Sequence, residues 1–171
     1  MNSRRQIILT GAGLVIGSRV ARATVGARAT AFSLRSVPGA KWSGTFNLAD
    51  FLGKRPVVIT FFATWCRPCE VEIPLLQKLQ KEHEKLGLVT VGIAIDGPET
   101  TSGIGPMSRR LGVEFPIVHD ADSRVGARYN PRNFAPFLVL VDRSGKIVRE
   151  REGWNPSHES ELRASVTKLV R

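Results

Sequence analysis

Residues 56–72, PVVITFFATWCRPCEVE, carry the clearest structural signal in this chain. Their first part, Val57–Phe62, is a short continuous run of apolar and β-branched residues, which is typical of a strand buried on both faces of a parallel or mixed sheet. From Pro68 onward the pattern predicts a helix, because apolar residues recur at intervals of three and four. These residues are Val71, Leu75, Leu76 and Leu79. Cys66 is therefore expected where a buried strand passes into a helix.

The spacing and position of the two cysteines predict a redox-active dithiol. Cys66 and Cys69 are the only cysteines among 171 residues. A helix N-terminus stabilises an anion such as a thiolate through its free N–H groups and its dipole. Thiols in CxxC motifs have pKa values depressed from about 8.5 to roughly 3.5–7. Pro68 suits the first helical turn, because its missing N–H would have no partner there.

Two other uses of the cysteine pair are less consistent with the sequence. A structural zinc site needs four ligands, and the histidines show no ligand spacing; they are His83, His119 and His158. An inert disulfide that closes so small a loop would add little stability. The strand-then-helix context favours the redox interpretation.

Length and composition indicate a single globular domain with some additions. The chain is 42% hydrophobic and 23% charged, with a net charge of +10. Four arginines and no acid lie in the first 23 residues, which leaves +6 for residues 24–171. We interpret the remaining bases as a solvated face, or else as a surface for acidic partners or membranes. They include Arg109, Arg110, Arg124, Arg128, Arg132, Lys146, Arg149 and Arg151. Aromatic residues do not interleave with them, so we expect no nucleic-acid partner.

Residues 1–23 are interpreted as an export signal. Arg4 and Arg5 precede a mildly apolar run over residues 7–18, and Ala21-Arg22-Ala23 is a small-x-small cleavage sequence. Residues 3–9, SRRQIIL, resemble the twin-arginine export signal. The apolar run is short for roughly 30 Å of hydrocarbon; the alternative is an uncleaved amphipathic leader or a short membrane anchor. Export would place the cysteines in the periplasm, where disulfide chemistry is common.

The remaining pattern predicts an α/β layer architecture built on a right-handed strand–helix–strand unit. The helix after the cysteines is expected to run to about Lys85, with Pro74 kinking it and Gly87 closing it. Further strands are predicted at 88–95, 115–118, 137–141 and 146–151, and helical segments at 48–52, 107–111, 122–129 (capped by Asp122) and 156–170. A short strand or hairpin starting at 31–34 is expected to pack across the edge of the main sheet.

This order of elements, with a cysteine pair after the first main strand, resembles the thioredoxin fold. More narrowly, the chain resembles the TlpA/ResA-like extracytoplasmic thiol–disulfide oxidoreductases. The matching segments cover most of residues 31–171: FFATWCRPC, the lone proline before FLVLVD, RSGKIV, and an insertion ending FPIVHDAD. The resemblance implies an α/β domain over residues 24–171, with three α/β/α layers, a mixed sheet, an N-terminal extension and a central insertion.

The resemblance also implies roles for four residues. Cys66 matches the exposed nucleophilic cysteine and Cys69 the buried resolving cysteine. Pro136 matches a cis-proline opposite the cysteine pair. The position needs proline, because a cis bond before any other residue costs about 2.5–4 kcal/mol. The neighbouring peptide can pair with an extended substrate strand. Glu72, one helical turn after Cys69, matches an acid that shuttles protons. The alternatives are a trans loop proline and an exposed glutamate without a partner.

One departure from thioredoxin supports the role of Glu72. Thioredoxin carries a buried aspartate six residues before the first cysteine, and here that position is Thr60. Threonine does not titrate, so the proton of Cys69 needs another carrier, and Glu72 is the nearest acid by helical geometry. Glu70 is expected to be solvated, and Trp65 either shields the disulfide or belongs to the core.

The expected activity is thiol–disulfide exchange by a monomer without a prosthetic cofactor. The resemblance implies two kinds of partner. One is a client protein with a disulfide or a cysteine pair, as in cytochrome c maturation or oxidase copper-site assembly, and the other is an upstream membrane electron donor. Arg67 favours a general oxidant by stabilising the Cys66 thiolate, whereas Pro68 and the family context favour a reductant, which we prefer.

Two other functional classes remain as alternatives. A peroxiredoxin shares the fold, but its peroxidatic motif needs a threonine three residues before the cysteine, where this chain has Ala63. A copper-delivery protein of the Sco type needs a CxxxC spacing and a well-placed histidine, for which His119 is the candidate.

Overall fold

The computed structural model describes residues 24–171, so the predicted export signal, residues 1–23, lies outside the described residues. In chain order the elements are β1 (Ser33–Arg35), β2 (Thr45–Asn47), β3 (Val57–Phe62), α1 (Cys69–His83), β4 (Val89–Ala94), α2 (Ile104–Arg110), β5 (Ile117–His119), α3 (Gly126–Tyr129), β6 (Phe137–Val141), β7 (Ile147–Glu152) and α4 (His158–Val170). Short 3₁₀ helices lie at Leu48–Asp50, Glu84–Leu86 and Thr101–Gly103.

Five strands form the central mixed sheet, in the order β5–β4–β3–β6–β7. Strand β3 pairs in parallel with β4 and antiparallel with β6, whereas β1 and β2 form a separate antiparallel hairpin. Every residue of β3 is buried, as its continuous apolar run predicts. The predicted α/β thioredoxin fold is confirmed, with β1 and β2 as the N-terminal extension and α2 and β5 inserted after β4.

Two apolar clusters cover the two faces of the sheet. The first lies between the sheet and helices α1, α2 and α4, and it contains Val58 and Phe62. The second lies against the β1–β2 hairpin and α3, and it contains Ile59 and Phe61. Because successive side chains of a strand point to opposite faces, Thr60 lies on the same face as Val58 and Phe62, towards α1.

The N-terminal extension contacts both the edge and one face of the sheet. At the edge, the Val37 N–H donates to the carbonyl of Ile117 in β5 at 3.0 Å, so the predicted packing across the sheet edge is confirmed. On the face, Phe46 and Leu48 are fully buried in the second cluster. The extension thus supplies part of the core and closes one side of the domain.

Helix α1 agrees with its prediction except at two side chains. Pro74 lies inside the helix, and Gly87 closes the following turn with a left-handed φ of +85°. The apolar spacing predicts that Val71 is buried, but it is 58% exposed. Gln77 does not belong to the apolar spacing, but it is buried, and its side-chain oxygen accepts the N–H of Glu114 at 2.9 Å.

The capping residue before α3 is also different from the one predicted. The carboxylate of Asp120, which is 3% exposed, accepts the N–H groups of Val125 at 3.2 Å and Gly126 at 2.6 Å. Asp122, the predicted cap, pairs with Arg124 at the surface. The reach of Asp120 over five and six residues is longer than that of an ordinary N-cap, which bonds to N–H groups two or three residues on.

A one-residue register shift separates the two ends of the β6–β7 hairpin. Val141 pairs with Ile147, but the next pair is Leu140 with Arg149, so Val148 has no partner across the ladder. An extra residue in one strand reverses the faces of all residues beyond it. As a result Leu138 pairs with Arg151, and Arg151 points to the α1 face of the sheet.

We predict that Asp120→Ala lowers the free energy of unfolding by about 1.5–3 kcal/mol, because two buried N–H groups lose a charged acceptor. Asp122→Ala is the matched control, and a surface substitution of this kind changes stability by less than about 0.5 kcal/mol. Urea unfolding of the oxidised protein measures both. Equal losses in the two variants would contradict the assignment of the cap to Asp120.

Candidate active site

The two cysteines form a disulfide at the start of α1. The S–S distance is 2.06 Å and the Cα–Cα distance is 5.3 Å. The N–H of Cys69 points at the sulfur of Cys66, with 3.2 Å between nitrogen and Sγ, so the first turn of the helix offers a hydrogen bond to a Cys66 thiolate. Cys66 is 3% exposed and Cys69 is fully buried. The expected order of exposure holds, but Cys66 is not an exposed cysteine in the oxidised protein.

The loop that carries the disulfide is attached to the end of β4 by a buried carboxylate. Asp96, which is 5% exposed, accepts the N–H of Thr64 at 3.1 and 3.2 Å and also its hydroxyl. The backbone carbonyl of Asp96 contacts Nε2 of His119 at 2.9 Å. Because Thr64 lies two residues before Cys66, these bonds fix the approach of the chain to the disulfide.

The loop before β6 lies at the same end of the sheet. Phe61 pairs with Phe137 across β3 and β6, so the segment after β3 and the segment before β6 leave the sheet together. The Ala135–Pro136 peptide bond is cis, the conformation that the resemblance implies. Asn130 braces this loop, because its side chain accepts the N–H of Phe134 at 2.9 Å and donates to the carbonyl of Phe134 at 2.7 Å.

Glu72 is a fully buried residue of α1 with two side-chain partners. Its Oε1 accepts the hydroxyl of Thr60 at 3.1 Å, and its Oε2 forms an ion pair with the guanidinium of Arg151. The alternative of an exposed, unpartnered glutamate is therefore wrong. The bond to Thr60 places the carboxylate of Glu72 beside the strand position at which thioredoxin carries its buried aspartate.

Arg151 is an exception to the solvated basic face predicted from the sequence. Its side chain is only 10% exposed. Its Nη1 donates to the carbonyl of Gly153 and contacts Nδ1 of His158, each at 3.0 Å, and its guanidinium lies 4.9 Å from the ring centroid of Trp154. These contacts hold the part of the guanidinium that faces away from Glu72. Its Nη2 is therefore fixed against the carboxylate of Glu72.

Burial raises the pKa of Glu72 above the ordinary glutamate value of 4.5, and the charge of Arg151 and the bonds from Arg151 and Thr60 offset part of that rise. At His158, desolvation lowers the pKa below 6.5, and the charges of Arg151 and Arg149 lower it further. A neutral His158 suits the contact, because Nδ1 can then accept from the guanidinium. The site therefore holds one buried acid whose protonation is sensitive to its surroundings.

The surface around the disulfide is partly apolar. Trp65 is 58% exposed and Phe134 is 41% exposed, and they lie on the two loops that leave the sheet at this end. Trp65 is therefore not a core residue. Glu70, expected to be solvated, forms an exposed ion pair with Arg110 at 2.7 Å, and the hydrogen bond from Arg110 holds its pKa below 4.5.

Metal-ligating side chains do not gather elsewhere in the domain. Within residues 24–171, no group of three or more His, Cys, Asp or Glu side chains is arranged to hold a metal ion. His119, the candidate for copper delivery, instead contacts the backbone of Asp96. None of the helices in residues 24–171 is both long and apolar enough to cross a membrane.

The structure thus brings together the predicted Cys66, Cys69 and Glu72, and it places Pro136 at the same end of the sheet. Sequence reasoning missed Asp96, Asn130 and Arg151. Asp96 directly follows a predicted strand and Asn130 precedes a proline, so both carried a local signal. Arg151 carried none, because its face depends on the register shift in β6–β7.

Comparisons with known proteins identify relatives. A family model described as the AhpC/TSA family matches residues 25–150. The thiol-disulfide oxidoreductase ResA of Bacillus cereus is 29% identical over 136 residues, which is 80% of this chain and 74% of that protein. The thioredoxin-like protein YneN of Bacillus subtilis is 34% identical over 123 residues, covering 71% of this chain and 68% of YneN.

Among solved structures, a secreted Mycobacterium tuberculosis disulfide oxidoreductase homologous to E. coli DsbE is similar, with a TM-score of 0.66 and 25% identity. The match covers 81% of this chain and 96% of that one. It extends the likeness from sequence to three-dimensional structure over most of the described domain.

We predict opposite pH effects on stability for two neighbouring glutamates. The folded pKa of Glu72 is raised, so as pH rises through 4.5 the unfolded chain releases this proton first and the wild type loses stability relative to Glu72→Gln. A pKa raised by one unit makes this difference about 1.4 kcal/mol. Urea unfolding from below pH 4.5 to neutrality measures it.

Glu70→Gln is the control, and its expected sign is reversed. The folded pKa of Glu70 is lowered, so its ionised form stabilises the wild type above pH 4.5, and that advantage is lost as pH falls through the lowered pKa. The effect is small because the pair is exposed. A Glu72→Gln protein that becomes less stable than the wild type as pH rises would contradict a raised pKa for Glu72.

Proposed function

Because the chain belongs to the AhpC/TSA family and, within it, to the ResA-like thiol-disulfide oxidoreductases, we propose that it reduces disulfides of exported client proteins through Cys66 and Cys69, with Glu72 as proton carrier. One observation carries the proposal: a disulfide at a helix N-terminus has a fully buried carboxyl one turn further along the same helix. The first feature supports thiolate attack, and the second supports proton transfer to and from the buried cysteine.

In the first exchange the Cys66 thiolate attacks one sulfur of a client disulfide. A bond forms between Cys66 Sγ and that sulfur, the client disulfide breaks, and the other client sulfur leaves as a thiolate. The N–H of Cys69 stabilises the attacking thiolate, since it lies 3.2 Å from Cys66 Sγ in the oxidised protein. Arg67, the next residue along the chain, adds a positive charge nearby.

In the second exchange Cys69 resolves the mixed disulfide. Its thiol gives a proton to Glu72, and the resulting thiolate attacks Cys66 Sγ. The Cys66–Cys69 bond forms, the bond from Cys66 to the client breaks, and the client leaves with two more electrons than it brought. Residues three apart in a helix have Cβ atoms roughly 5–6 Å apart, so Glu72 is positioned to serve Cys69.

The client-binding surface is proposed around the two loops at the disulfide end of the sheet. Trp65 and Phe134 offer exposed aromatic area beside Cys66 and beside the cis peptide. The peptide at Ala135–Pro136 is proposed to pair with an extended client segment, as in strand-addition complexes. Recognition through backbone and apolar contacts demands little of the client's sequence, so one such surface can accept several clients.

The direction of transfer is proposed to be reductive. A carboxyl buried near Cys69 disfavours a second negative charge there, and this favours the disulfide form of the protein over a dithiolate. The proposed setting is extracytoplasmic, with residues 1–23 as a twin-arginine-like export signal, cleaved or retained as an anchor. The proposed clients are cysteine pairs in cytochrome c maturation or oxidase copper-site assembly, the donor is a membrane electron conduit, and the protein acts as a monomer.

The two cysteines are predicted to fail at different steps. Cys66→Ser abolishes exchange, because the attacking thiolate is lost, whereas Cys69→Ser attacks but does not resolve and so accumulates mixed disulfides with clients. Non-reducing electrophoresis of the reduced variants with a disulfide-containing substrate distinguishes them. Alkylation of Cys69 before Cys66 at neutral pH in the wild type would reverse the assignment.

We predict a reduction potential nearer to the roughly −270 mV of thioredoxin than to the roughly −120 mV of the oxidant DsbA. Equilibration of the purified protein with glutathione buffers, followed by quantification of free thiols, measures it. A potential more oxidising than about −150 mV would contradict the reductive direction and favour a general disulfide oxidant.

A further inference from the structure

We propose that Arg151 is a positioning residue for the exchange reaction: its ion pair with Glu72 keeps that carboxylate able to take the proton of Cys69. The inference rests on the proposed role of Glu72 as proton carrier. The guanidinium of Arg151, from the penultimate element of the fold, reaches a helix residue 79 positions earlier, a contact that the sequence pattern did not reveal.

The contact is built by the sheet. Thr60 pairs with Leu138 across β3 and β6, and Leu138 pairs with Arg151 across β6 and β7. Paired residues of neighbouring strands lie on one face, so Thr60 and Arg151 approach Glu72 from two positions of a single row. Oε1 of Glu72 is held by the hydroxyl and Oε2 by the guanidinium, which fixes the orientation of the carboxylate.

The guanidinium itself has little freedom. Nη1 is held by the Gly153 carbonyl and by His158, and the plane lies against Trp154. Arginine does not lose its proton in a protein, so this charge is constant across the working pH range. A fixed charge beside a buried carboxyl lowers the carboxyl pKa, while desolvation raises it.

Few other charges reach Glu72 in the described part of the chain. On its own helix Cys69 lies one turn before Glu72, and the exposed Glu70 pairs with Arg110. Strand β3 supplies the neutral Thr60, the same row of β4 and β6 supplies Gly92 and Leu138, and β7 supplies Arg151. From α4, His158 contacts the guanidinium and not the carboxylate. Arg151 is therefore the charge through which the rest of the domain acts on Glu72.

The chemical consequence concerns the second exchange alone. Resolution requires an ionised Glu72, because a protonated carboxyl cannot accept the Cys69 proton. Without Arg151, only the hydrogen bond from Thr60 still offsets desolvation, so the pKa of Glu72 rises further and Glu72 is protonated over a wider pH range. Attack by Cys66 does not use this proton and continues.

The test separates the two exchanges with 5,5′-dithiobis(2-nitrobenzoate) as the substrate disulfide and the full-length reduced protein in excess. Attack by Cys66 releases one thionitrobenzoate, and resolution by Cys69 releases the second. We expect Arg151→Met to leave the first release unchanged and to move the pH midpoint of the second release upward. A rise of one pH unit corresponds to about a tenfold slower second release below the midpoint.

Three variants control the assignment. Arg149→Met removes the neighbouring arginine on the same strand face, which bonds to Ser165 and Glu161 and not to Glu72, so it should not move the midpoint. Arg151→Lys keeps a charge and should shift the midpoint less than methionine does. Adding Arg151→Met to Glu72→Gln should change the second release no further than Glu72→Gln does.

Infrared difference spectra between each oxidised variant and the oxidised wild type give a readout that loss of packing would not mimic. The carbonyl stretch of a protonated carboxyl should appear at neutral pH in Arg151→Met and vanish when Glu72→Gln is added. Thermal unfolding confirms that each variant is folded before either measurement.

The outcomes are distinguishable. An unshifted midpoint in Arg151→Met, with a slowed second release in Glu72→Gln, overturns the role of Arg151 and leaves Glu72 in place. A normal second release in Glu72→Gln overturns both. Equal slowing of the two releases without a shift in pH dependence, or an equal shift in Arg149→Met, would show that Arg151 serves packing alone.

Discussion

The structure depends on one constraint: a carboxyl group is held without exposure to water in the middle of the domain, on the helix that carries the disulfide. Burying a charge is costly unless it is paired and hydrogen-bonded. Glu72 meets that requirement with a hydroxyl from β3 and a guanidinium from β7. Two strands of the sheet, the first turns of α1 and the start of α4 are therefore arranged around one side chain whose ionisation the proposed exchange reaction uses.

Most of the fold could be predicted from the sequence, because its decisive signals are local. The continuous apolar run of β3 and the three-and-four spacing of α1 gave the strand and the helix that hold Cys66 and Cys69. The spacing of apolar residues in α1 predicts a buried Val71 and does not predict a buried Gln77, and both are wrong. Helix periodicity does not show which neighbouring segments cover the residues at the edges of the apolar face. Two of the four site residues, Cys66 and Cys69, follow from the same local pattern.

What sequence reasoning missed depends on long-range register. Counting back through the β6–β7 turn from the pair of Val141 and Ile147 would place Glu150 opposite Leu138, whereas the shift at Val148 places Arg151 there. One residue thus decides whether an acid or a base faces Glu72. Asp120 in place of Asp122 as the cap before α3 has a similar cause, since a loop conformation, not sequence spacing, brings its carboxylate to the buried N–H groups.

The position of the acid also determines which part of the fold sets its distance from the resolving cysteine. In thioredoxin the buried acid lies on the strand, so its distance from the resolving cysteine depends on the packing of helix against sheet. Here Thr60 retains only a hydroxyl on the strand, and the acid lies on α1 with Cys69. Helical geometry then sets the separation of acid and thiol, and the sheet contributes the partners that orient the carboxylate and tune its pKa. If Glu72 acts as proposed, small shifts between α1 and the sheet during client binding would therefore change its pKa more than its distance from Cys69. The contact of Arg151 with Glu72, which joins the sheet to the helix, is then the one most sensitive to such shifts.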